Sequence, residues 1–186
     1  MRGWCRNALL LATIVAVGCS AGNVVPRERV SSEEIEAIRD DPGPPMYYAG
    51  STVFGLPLTG AFGWSSAARE AFFAYGTCEL PEGEGGCPVP VQIQHFRFDP
   101  AQWRLAEGCF GLPSLRGVPT ARHDGLVLFT DSIVVKVYAR DEAKERRVVK
   151  ELRGLNTDLA KGEQLPPPPR QVRELVSRVC PGIRSS

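Results

Sequence analysis

The chain is poor in the residues that most often carry chemistry. It has two histidines, His95 and His123, among 186 residues, and no C-x-x-C pair. That leaves too few imidazole and thiolate ligands for an ordinary zinc site, so no metal is expected. G-x-S-x-G, H-E-x-x-H, the P-loop and G-x-G-x-x-G are all missing, which removes the common signatures of serine hydrolases, zinc proteases and nucleotide binders, and with them any expected cofactor. Glycine is dense at Gly83, Gly85 and Gly86, but this run lies between strand-like segments rather than before a helix, a poor setting for a phosphate. Nor is there an excess of charge. Twenty-two basic residues face 21 acidic ones, a balance that argues against nucleic acid as a partner.

What is present at the start is an export pattern. Arg2 and Arg6 precede the uncharged run from Ala8 to Val17, and the small residues of Ala16-Val17-Gly18 stand just before Cys19. Ten residues make a helix of about 15 Å, half the roughly 30 Å of a bilayer core, so the run reads as a cleaved signal rather than a span. Ala16-Val17-Gly18-Cys19 resembles the lipobox of bacterial lipoprotein precursors, although that family prefers leucine where this chain has Ala16. The resemblance implies removal of residues 1–18, lipid (diacylglycerol, and an acyl chain such as palmitate) on Cys19, and a mature protein held on the outer side of a membrane in the cell envelope. A general signal peptidase cutting after the same small residues would instead release a soluble protein. A single acyl chain holds only marginally and two or more hold firmly, so the lipobox reading implies stable attachment. Without Arg2 and Arg6 the chain carries 20 basic and 21 acidic residues.

Outside the cytosol an even set of cysteines usually pairs. Apart from Cys5 and Cys19 there remain Cys78, Cys87, Cys109 and Cys180. Three connectivities are open. Cys78 with Cys87, and Cys109 with Cys180, is the favoured one, because the first two flank a glycine-rich loop between two strand-like runs.

Along the chain, Ser31-x-x-Glu34 has the form of a capping box, with Ile35 and Ile38 on one helical face before Asp41-Pro42-Gly43-Pro44-Pro45 stops it. Met46 to Phe54 reads as one strand, Gly55 to Gly60 as its end, and Ala71 to Tyr75 as a second strand. Val89, Val91 and Ile93 alternate with polar partners and share a face with His95, a histidine expected in the core. Phe98 to Gly117 looks irregular, and Gly111-Leu112-Pro113 repeats Gly55-Leu56-Pro57, three common residues that are too few to support an internal repeat. Leu126 to Thr130 and Ile133 to Ala139 form a hairpin about Asp131-Ser132. Asp141 to Asn156 is an amphipathic helix, with Val148, Val149, Leu152 and Leu155 inward and Glu145 among the charges on its wet side. Lys161 to Pro169 is a proline-rich spacer, and Arg170 to Val179 a short helix tied down by Cys180.

These readings give an α+β fold: a small antiparallel sheet built from hairpins, an amphipathic helix packed on it, and a short disulfide-tied C-terminal helix. The expected segments are 1–18 signal peptide, 19–45 lipidated tether with a short helix, 46–160 α+β domain, and 161–186 proline-rich linker and terminal helix. Tyr47, Tyr48, Phe62, Trp64 and Trp103 are the candidates for an apolar ligand groove. The functional expectation is a non-catalytic binding or envelope-assembly protein anchored by lipid, its partner an envelope protein or a small apolar ligand. The alternatives are an envelope hydrolase with a carboxylate site, for which Asp99, Asp124 and Asp131 are candidates, and a purely structural lipoprotein.

Overall fold

The computed structural model describes residues 29–77, 89–99 and 110–180. The export segment and Cys19, Cys78, Cys87, Cys109 and Trp103 lie outside these ranges, and so do the readings that fell on them. Helix α1, Ser32–Arg39, begins as its sequence requires. Ser31 Oγ accepts the Glu34 N–H at 3.1 Å, and the Glu34 carboxylate accepts the Ser31 N–H at 3.0 Å. The helix buries no residue fully and rests Ile35 and Ile38 against the body.

Ten strands follow. The expected strand over 46–54 is split into β1, Tyr47–Tyr48, and β2, Thr52–Val53, because Gly50 bends the chain between them with φ +89°. Then come β3 Leu56–Ser65, β4 Glu70–Tyr75, β5 Val91–Arg97, β6 Phe110–Leu115, β7 Val118–Arg122, β8 Leu126–Thr130 and β9 Ile133–Ala139. Helix α2 is Glu142–Glu151, β10 Arg153–Gly154 and helix α3 Arg170–Val179.

Eight strands join in one antiparallel sheet of order β2-β3-β4-β5-β9-β8-β7-β6, while β1 pairs with β10 apart from it. The sheet is larger than the small one expected, because β3, β6 and β7 contain glycines and prolines that read as turns. Their prolines are tolerated for local reasons. Pro113 lies on the edge strand β6, and Pro119 falls where the β6–β7 register shifts, just before β7 begins to pair with β8.

The order is that of two four-stranded meanders, β2–β5 and β6–β9, joined through their last strands by seven Cα pairs from Val91↔Ala139 to Arg97↔Ile133. Antiparallel joining of last strands relates the halves by an approximate two-fold axis through the sheet. The axis brings the β2–β3 turn, Phe54-Gly55, into correspondence with the β6–β7 turn, Arg116-Gly117. Both have positive φ at both residues (53° and 78°, 50° and 79°), the requirement of a two-residue type I′ hairpin. The structural counterpart of Gly55-Leu56-Pro57 is therefore Gly117-Val118-Pro119, and the three-residue likeness of Gly111-Leu112-Pro113 marks no repeat, as its brevity implied.

Each face of the sheet has its own cover. One face, through Phe73, Tyr75, Ile93, Val135, Val137 and Leu128, packs against Met46, Tyr47, the α2 residues Val148 and Val149, and Leu152 just after the helix. The opposite face, through Ala121, Val127, Phe129 and Val134, packs against Val172, Val176 and Cys180 of α3 and its end. Residues 161–169 are not a free spacer. Leu165 is buried and its N–H donates to Arg116 O at 2.9 Å, and Pro166 O accepts from Asp131 N (3.1 Å) and Thr130 Oγ1 (2.7 Å). The strap crosses the sheet end at the β8–β9 turn and delivers α3 to the far face.

Helix α2 stops at Glu151 rather than running to Asn156, since Leu152 is extended (ψ 135°) and the next two residues pair with β1. Asn156 works by its side chain, accepting the Met46 N–H at 2.8 Å and donating to Pro44 O at 3.0 Å. Glu145, expected in water, is 3% exposed. Arg122 reaches it from β7 at 2.6 Å, so a charge that the helix pattern placed outside is paired under the helix.

Candidate functional site

Where α3 does not reach, the outer sheet face is open among the described residues. On β3 and β4, Phe62 and Phe72 stand opposite each other in the register and their rings meet at 6.4 Å, tilted by 40°. Phe62 is 48% exposed, unusual for a phenylalanine in the middle of a ten-residue strand. Together with Trp64 and Ile38 they line a groove of about 630 Å³, with Asp41 and Glu70 at its margins and Gln94 on its floor. No basic residue lines it among the described residues.

The groove is held by close backbone approach. The turn after α1 lies on Trp64 so tightly that a Cβ at Gly43 would sit 2.7 Å from Trp64 Cβ, and one at Gly63 would meet Asp41 Oδ2 at 3.3 Å and Ile38 Cγ2 at 3.4 Å. Two residues without side chains thus let α1 and β3 form one wall.

Of the aromatics proposed from sequence, Phe62 and Trp64 come together here. Tyr47 does not: it is fully buried in the core. Tyr48 packs on Phe73 at 6.1 Å, away from the groove, because neighbours on a short strand point to opposite sides. Trp103 lies outside the described residues. Phe72 was missed, although the alternation of Ala71, Phe73 and Tyr75 toward the core already required it to face the other way.

His95 is remote from this chemistry. It is fully buried, accepts the Tyr47 N–H on Nε2 at 2.9 Å, and has Phe73 edge-on at 5.6 Å. An accepting Nε2 requires the neutral ring with its proton on Nδ1, and burial lowers its pKa to about 3. His123 sits in the β7–β8 turn at the far end of β8 from Asp131. Asp124 shares that turn and pairs with Lys136 Nζ at 3.1 Å. Asp124 and Asp131 thus occupy opposite ends of one strand, so the carboxylate trio Asp99, Asp124 and Asp131 does not converge.

Cys180 is the one candidate cysteine among the described residues. It is fully buried at the end of α3 and is disulfide-bonded. No set of three metal-ligating side chains occurs among the described residues, and no described helix is long and apolar enough to cross a membrane. No protein-family model, curated protein or solved structure matches the chain. What the fold and the groove define is a class: an α+β protein whose antiparallel sheet is covered fully on one face and half covered on the other.

Proposed function

We propose that the protein is a lipid-anchored extracytoplasmic binding protein, attached through Cys19, that holds a partner or apolar ligand in the groove of Phe62, Phe72 and Trp64. The carrying observation is the exposed Phe62 ring paired with the half-buried Phe72 on an otherwise well-packed sheet. Solvent-facing aromatic pairs in a concave site serve binding, since burying such a ring on contact contributes about 2 kcal/mol.

Cys109–Cys180 is the pairing that fits this reading best. Cys180 packs beside Ala121, and Phe110, the residue after Cys109, pairs with Arg122, the residue after Ala121. Cys78 then pairs with Cys87.

The test is photo-crosslinking in intact cells from a benzoylphenylalanine at position 62, with the same probe at the covered position 129 as control. A specific product from 62 alone, lost when Phe72→Ala is added, is the expected result. Equal crosslinking from both positions rejects the groove. A Cys19→Ser chain that stays membrane-bound with its mass unchanged rejects the anchor.

A further inference from the structure

A second recess lies at the end of the sheet that carries the Phe54-Gly55 turn. It has a volume of about 520 Å³, in the roughly 300–1,000 Å³ range of small-molecule sites. Phe54, Leu56, Val89, Pro90 and Tyr138 supply an apolar wall, while Arg140 and Lys144 stand at the rim with no acidic residue in the lining among the described residues. Lys144 shares its charge with Asp141 at 3.2 Å. Arg140 and Arg147 have no acidic partner among the described residues, and the Arg147 guanidinium lies 4.7 Å over the Phe54 ring.

The turn itself carries a second observation. Phe54 has φ +53°, a conformation that suits Asn or Gly and costs a bulky residue about 1–2 kcal/mol. At the corresponding position in the other half, Arg116 occupies the same strained conformation and has a visible structural role, in which its guanidinium donates to Val149 O, Leu152 O and Glu163 O. No packing role of that size accounts for Phe54, which is 37% exposed at the hairpin tip. Its ring instead completes the apolar side of the recess beneath the Arg147 cation.

We propose that this recess binds one anionic amphiphile, a carboxylate- or phosphate-headed molecule whose apolar chain lies on Phe54 and Tyr138 and whose head is met by Arg140, with Lys144 and Arg147 adding positive charge. The site is distinct from the Phe62–Phe72 groove, and neither depends on the other.

Calorimetry on the full-length chain carrying Cys19→Ser tests it, with dodecanoate kept below its micelle concentration as the probe. Dodecyltrimethylammonium and inorganic phosphate serve as comparators. Dodecanoate should bind once per chain and both comparators far more weakly, because each lacks one half of the recognised chemistry. Arg140→Gln should weaken dodecanoate about ten- to hundredfold, the value of one charge-assisted contact. Phe54→Asn should weaken it about tenfold without lowering the unfolding midpoint, since Asn-Gly is the preferred type I′ pair. Absence of dodecanoate binding, equal binding of the cationic amphiphile, unchanged affinity in both variants, or binding to anionic vesicles but not to monomeric dodecanoate would each overturn the proposal.

Discussion

The two halves of the sheet share a strand order and a turn type but differ in what lies on their outer face. Over β6–β9, helix α3 seals Ala121, Val127, Phe129 and Val134. Over β2–β5 the same face holds Phe62, Phe72 and Gln94 beside an open groove. A meander that must be covered places apolar residues on both sides of its strands. Every residue of β8 is buried, whereas β5 alternates between Val91, Ile93 and His95 inside and Gln92 and Gln94 outside. Exposure is thus written into strand alternation, and one helix separates a covered face from an open one.

Releasing α3 should set the halves furthest apart. With the Cys109–Cys180 pairing proposed above, the bond closes a loop of about 70 residues, worth about 4 kcal/mol in the chain-entropy model. Cys180→Ser should therefore lower the urea unfolding free energy by about that amount and raise hydrogen exchange at Val127 and Phe129. Phe72→Ala, on the half that α3 never covers, should cost less than about 1 kcal/mol. If the two variants are equally destabilised, the outer faces are not different in kind.

Next is the clamp at the β6–β7 turn. Arg116 caps the carbonyl end of α2 at Val149 and Leu152 and holds the strap through Glu163. Arg116→Asn keeps the turn conformation but deletes these charge-assisted bonds, each worth about 1.5–3 kcal/mol when buried. With half-exposed partners we expect a loss of about 3 kcal/mol in the unfolding free energy, with weakened protection of α2.

How much of this was legible depended on how local the signal was. The capping box at Ser31, the Asp131-Ser132 hairpin, the inward face of α2 and the span of α3 are determined within a few residues, and all could be read. The β3, β6 and β7 strands could not, because Pro57 sits in the short β2–β3 pairing and Pro113 and Pro119 at an edge and a register shift, features that exist only after the strands have paired. Glu145 misled for the same reason: its partner Arg122 is 23 positions away. Of the groove, Phe62 and Trp64 were legible only as aromatics that a groove or a modest core would use equally well. Phe72 needed strict two-residue counting along β4, and the approach of Gly43 to Trp64 carried no local signal.

At the seam between the halves, His95 on β5 faces Val135 on β9. One half places a titratable ring where the other places an aliphatic side chain. The folded ring has its pKa lowered to about 3 by burial, against about 6.5 when unfolded, so the folded state disfavours the charged form. Its contribution is complete above pH 6.5 and declines as pH falls toward 3, by up to about 1.4 kcal/mol per unit. Between pH 6.5 and 5 the unfolding free energy should drop by up to about 2 kcal/mol. That interval lies above the window in which Asp141 and Glu142, whose pKa values are depressed by Lys144 and Arg146, give up their stabilisation. In His95→Gln the drop should disappear. A variant that retains the full slope removes His95 as its source.

The smallest change bears most directly on the two-fold correspondence. Phe54 and Arg116 hold the same turn position with φ +53° and +50°. Substituting Asn relieves about 1 kcal/mol of strain at either site. At Arg116 that gain is overwhelmed by the lost clamp. At Phe54 the contact removed among the described residues is the exposed stack under Arg147, worth about 0.5–1 kcal/mol. The terms nearly cancel, so Phe54→Asn should change the unfolding free energy by less than about 0.5 kcal/mol. One substitution at two equivalent positions is thus expected to give a large loss in one half and almost nothing in the other. A loss of about 2 kcal/mol or more at Phe54 would mean that its ring holds the fold together as Arg116 does, and that the strain in this turn serves packing rather than the recess beside it.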